Sequence, residues 1–73
     1  MYPLHEMDER YIINSIKNSD VITDYFKKNL VTNITDEIKL SNEEKDIIIF
    51  VVKYNFLLSP SYREMLIYKI KEG

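Results

Sequence analysis

His5 and a scatter of carboxylates are the general bases that this 73-residue chain offers near neutral pH. Acid, base or nucleophilic chemistry needs such groups to converge on one point. His5 is the single histidine, and there is no cysteine, so it has no second soft ligand with which to share a metal. A solvated side chain is the simpler reading. Glu43, Glu44 and Asp46 follow directly on Ser41, where negative charge suits the positive end of a helix dipole. That structural role already accounts for them. Asp36 and Glu37 read as a solvated loop pair. Glycine occurs once, which leaves no glycine-rich loop to cradle a phosphate. The expectation is a non-enzymatic protein with no cofactor and no metal.

What remains is recognition. Ten Lys and Arg against 12 Asp and Glu give a net charge of −2, so no general attraction to nucleic acid or to an anionic membrane is expected. Six tyrosines and three phenylalanines are many for so small a core. Tyrosine can bury its ring and keep its hydroxyl wet, so most belong in or beside the core. Tyr54 and Tyr68 cannot both turn inward with everything else on their helices, and Phe56, Leu57 and Leu58 crowd the end of one. Surplus apolar surface near that point would mark a contact with another protein. The expected contact residues are Leu57, Leu58, Tyr62, Arg63 and Tyr68.

The elements that must position these residues are helical. Ser41 and Glu44 form a Ser-x-x-Glu capping box, with Leu40 before it. The run Ile47–Val52 is apolar and mostly β-branched, and taken alone it could be a buried strand. The cap before it and the continuation Tyr54, Leu57, Leu58 at helical spacing favour a helix, Ser41–Phe56, central to the domain. Ser59-Pro60-Ser61 restarts the chain. Either Ser59 caps with Pro60 in the first turn, or Ser61 caps with Glu64. Tyr62, Met65, Leu66 and Ile70 make the next apolar stripe. Residues 41–72 thus read as an antiparallel helical hairpin.

Upstream, residues 1–7 read as a loose arm and residues 8–31 as the N-terminal helices. Asp8 is the expected cap of the first, through about Asn18, with Ile12, Ile13 and Ile16 inward. A second is expected from the Asn18-Ser19-Asp20 cluster, with Val21, Ile22, Tyr25, Phe26 and Leu30 as its stripe. One continuous helix is the rival, since no Gly or Pro intervenes. Residues 32–40 read as a linker or a short helical turn. Asn33-Ile34-Thr35 matches a glycosylation sequon, treated as chance because no secretion signal is visible.

The fold class predicted is all-α: one small domain of three to four helices with a C-terminal antiparallel hairpin. A chain this short buries only about 60% of its unfolded surface, and no disulfide can staple it. Cover from a partner or from a second copy in a two-fold homodimer is therefore expected. No stretch is long enough to span a bilayer. The absence of cysteine and of a signal peptide is compatible with a cytoplasmic location. The wealth of Ile, Asn, Lys and Tyr fits an AT-rich genome such as that of a low-GC bacterium or its phage.

The hairpin resembles the Sda-type checkpoint proteins of spore-forming bacteria. The likeness rests on Leu40-Ser41-Asn42-Glu43, Phe50, Leu57 or Leu58, and Tyr62, Met65, Leu66 and Ile70. It covers less than half the chain, Pro60 departs from the pattern, and residues 1–39 have no counterpart. The resemblance implies a helical hairpin that binds and inhibits a histidine kinase through a surface near Leu58 and Tyr62. The functional expectation is a small regulator that binds and inhibits a partner protein through residues 41–72. The alternative is a helix-turn-helix DNA-binding regulator, with Ser61, Tyr62 and Arg63 opening the reading helix.

Overall fold

The capping box at Ser41 forms as its spacing predicts. In the computed structural model, which describes residues 5–72, Ser41 Oγ accepts the Glu44 N–H at 3.1 Å. Glu44 Oε1 accepts the Ser41 N–H at 2.9 Å. The helix so begun, Asn42–Lys53, takes in the β-branched run, which is helix and not strand. It ends sooner than Phe56. Asn55 is the reason: its Oδ1 accepts the Leu57 N–H at 3.2 Å, a local bond that competes with continuing the helix.

Four helices make up the described chain, in the order α1 (Glu6–Lys17), α2 (Asp24–Thr35), α3 (Asn42–Lys53) and α4 (Pro60–Glu72). Residues 5–7 of the expected arm are therefore ordered as a cap and the first turn of α1; residues 1–4 lie outside the described residues. Asp8 is not the cap. His5 holds that position without a side-chain bond, and Asp8 stands inside the first turn with Glu6 and Glu9. The N-terminal helices are two. Thr23, not the cluster at 18–20, caps α2 by accepting the Phe26 N–H at 3.3 Å. Val21 and Ile22 thus fall in the connection, and Val21 and Tyr25 are exposed instead of inward.

The segment expected as a linker is half helix, because α2 runs on to Thr35. Its end is a left-handed closure. The Ile38 N–H reaches the Asn33 carbonyl at 2.9 Å and the Glu37 N–H the Ile34 carbonyl at 3.2 Å, with Glu37 at φ 57°. This is the Schellman pattern, with glutamate where glycine is usual. At α4, Ser59 Oγ accepts the Tyr62 N–H at 3.3 Å and the Ser59 carbonyl accepts the Arg63 N–H at 3.0 Å. Ser59 is the cap and Pro60 opens the helix.

Spacing of three and four residues brings one face of each helix to a shared core: Ile12 and Ile16, Leu30 and Ile34, Ile48, Val51 and Val52, Leu66 and Ile70, with Leu40 from the connection. The main packing joins α3 with α4, and α1 with both α2 and α3. Nothing in these contacts conflicts with an antiparallel α3–α4 pair. Ile48 and Val52 are fully buried within the chain, where α3 packs on α1 and α4. Truncating Ile48 to Ala should cost about 2–5 kcal/mol. No described helix is long and apolar enough to cross a membrane.

Candidate protein-docking surface

The turn between α3 and α4 is ordered from beneath. Asn55 Nδ2 donates to Ser15 Oγ at 2.8 Å, and the buried Ser15 hydroxyl donates in turn to the Tyr11 carbonyl at 2.9 Å. The other end of the Asn55 amide accepts the Leu57 N–H, and the Asn55 carbonyl accepts the Leu58 N–H at 3.2 Å. One side chain therefore anchors the turn to α1 and sets its path. Phe56 and Leu57 are what the turn presents, at 76% and 88% exposure.

Phe56 does not stand alone. Its ring meets Tyr54 edge-on at 6.2 Å between centroids, and Tyr54 lies 4.8 Å from Phe50. Phe50, exposed on α3, extends the rings towards two clefts. One, of about 490 Å³, is floored by Ile22, Phe26 and Ile47; the other, of about 400 Å³, lies between Asn18, Val21, Tyr54 and Asn55. Two cations stiffen the series. The Arg63 guanidinium sits 5.0 Å from the Phe56 centroid, and Lys53 Nζ 5.7 Å from that of Tyr54. Arg63 Nη1 also donates to the Lys53 carbonyl at 2.7 Å, near the negative end of α3.

The expected contact residues divide. Leu57 and Tyr68 are exposed, and Arg63 stands half-buried beside Phe56. Leu58 and Tyr62 pack against the core. Tyr62 crosses to α1: its ring meets Tyr11 edge-on at 5.4 Å, and its hydroxyl donates to Asp8 Oδ1 at 2.5 Å. Lys69 Nζ donates to Asp8 Oδ2 at 2.6 Å. Burial pushes the Asp8 carboxyl up, but the bonds from Lys69 and Tyr62 and the charge of Lys69 outweigh it and hold the group below its usual range. Burial and the bond to Asp8 push the Tyr62 phenol up to about 12. A tyrosine so held keeps its proton and is a strut, not an acid or base at neutral pH.

Sequence reasoning missed Phe50, Tyr54 and Phe56 as a set, although it counted Tyr54 and Phe56 as surplus. Their spacing offers the signal: Phe50 and Tyr54 are four apart on a helix, and Phe56 follows one residue after the asparagine that breaks it. It also missed Asn33, which donates to Glu44 Oε2 at 2.8 Å and fastens α2 to the capping box of α3. The backbone bond from Ser41 leads the effects that lower the Glu44 carboxyl, against its partial burial. Compared with protein-family profiles, with curated proteins and with solved structures, the chain matches none.

Proposed function

We propose that the protein is a small regulator that acts without catalysis, by binding a partner protein through the tip of the α3–α4 pair and inhibiting it. The observation that supports this is the exposed series Phe50, Tyr54, Phe56 and Leu57, held on an ordered turn. Aromatic residues with a neighbouring Arg are the types that most often anchor interfaces, and a turn fixed before binding loses little entropy on docking. The resemblance to the checkpoint hairpins would make the partner a histidine kinase. Leu58 and Tyr62, to which that likeness points, are engaged in packing, so the contact falls to Leu57 and the rings beside it. A DNA-reading role for α4 has less support. Tyr62 is bonded to Asp8 and packs against the core, so its side chain is not free to reach a base edge.

The test is capture of partners by the full chain from the cells that encode it, repeated with Phe56→Ala and Leu57→Ala combined. The captured protein is then assayed with and without the chain. Loss of capture by the double variant, with melting little changed, supports the reading. Undiminished capture overturns the site, and an unaltered partner activity overturns inhibition.

A further inference from the structure

A further cleft beside the tip, of about 400 Å³, is lined by residues of both α3 and α4. Lys53, Arg63 and Lys71 line it with a single carboxylate, Glu64. Three of the five basic residues among residues 41–73 are thus gathered at one groove, in a protein whose net charge is −2. Its apolar lining is Ile49 and Ile67, each half-exposed, with Pro60 at the end. The arrangement is amphipathic: aliphatic side chains between, ammonium and guanidinium groups around.

Arg63 joins this cleft to the docking surface, since the same guanidinium rests on Phe56. Its Nε–H is buried and has no partner among the described residues. A buried donor without an acceptor is costly, and a small outward swing onto an incoming carboxylate would satisfy it. Lys53 and Lys71 are exposed and positioned to meet further negative charge.

We infer that the α3–α4 cleft takes an acidic amphipathic segment of the partner, with aliphatic residues seated on Ile49 and Ile67 and carboxylates on Lys53, Arg63 and Lys71. This rests on the reading of the tip as a protein-docking surface and adds the chemistry of what docks. Charge complementarity selects the acidic side chains, and the half-exposed isoleucines select a peptide over the phosphates of a nucleic acid.

The probe is a synthetic helix-forming peptide with Leu on one face and Glu on the other, added to the isotope-labelled full chain. A Lys-and-Leu counterpart and a random-sequence DNA duplex serve as competing ligands. Saturable amide shifts at Ile49, Lys53, Arg63, Ile67 and Lys71 are expected with the acidic peptide alone. Affinity should fall with added salt, and by about tenfold or more in Lys53→Glu combined with Lys71→Glu. No saturable binding of the acidic peptide, shifts centred elsewhere, equal binding of the basic peptide, or preference for the duplex would each overturn the inference. So would self-association in sedimentation that the same charge reversal abolishes, because the cleft would then serve a second copy. The tip reading fails separately: charge-reversed chain that still captures the natural partner, while the Phe56 and Leu57 double variant does not, removes this inference and leaves that reading standing.

Discussion

Tyr54 and Tyr62 flank the turn between α3 and α4, and they have opposite fates. Tyr62 is driven inward, with a carboxylate, an ammonium group and a second ring arranged around it. Tyr54 is left out in a row of rings that contact one another and otherwise face water. On the α1–α4 side Asp8, Tyr62 and Lys69 satisfy one another within the chain. At the tip, apolar area is held in place and left uncovered. The difference teaches that the aromatic surplus of this small domain is divided: one part closes the fold, the other is left at the surface.

The largest expected effect tests the closing side. Asp8→Ala leaves Lys69 and the Tyr62 hydroxyl facing each other without a carboxylate, and should cost about 3 kcal/mol. Denaturant unfolding measures it, and a loss near zero would erase the contrast. Next, Phe56→Ala with Leu57→Ala should lower partner affinity by about 2 kcal/mol or more with little change in melting. A large fall in melting temperature would instead make the tip part of the core. Asn55→Ala joins the two regions. It removes the bonds to Ser15 and to the Leu57 N–H, and should cost about 1–2 kcal/mol while loosening the tip.

Smaller effects sharpen the contrast through pH. The folded Asp8 and Glu44 carboxyls lie below their unfolded values, so their contribution is present above the unfolded value and is lost as pH falls through the folded one. Tyr62 is the reverse. Its stabilisation is whole below the ordinary tyrosine value of about 10 and is lost as pH rises towards about 12. Absorbance titration should show a late-titrating component that is absent in Tyr62→Phe. Smallest of all, Glu37→Gly should raise stability by about 1 kcal/mol, since glycine accepts a positive φ without the strain of a side chain. It should leave both regions otherwise unchanged.

Much of the helical order was legible because it is local. A cap at Ser41, the break at Ser59-Pro60 and isoleucines at helical spacing act over a few residues. The end of α2 was not legible, since Glu37 takes a backbone region that its type disfavours. The cap of α2 was misread because 18–20 and Thr23 offer the same chemistry, and packing chose between them. The candidate site was half legible. Leu57 and Arg63 could be placed at the tip by the turn. The inward fate of Tyr62 could not, because it depends on a carboxylate at the far end of the chain that local pattern assigns to a cap.

Asp8 and Lys69 are separated by 61 positions. Their contact encloses nearly the whole described chain, so bringing them together carries a loop-closure cost that local helix contacts do not. It should form late, and substitutions there should hasten unfolding more than they slow folding. During synthesis the carboxylate on the first helix must wait, hydrated, until Lys69 has been made and has left the ribosome.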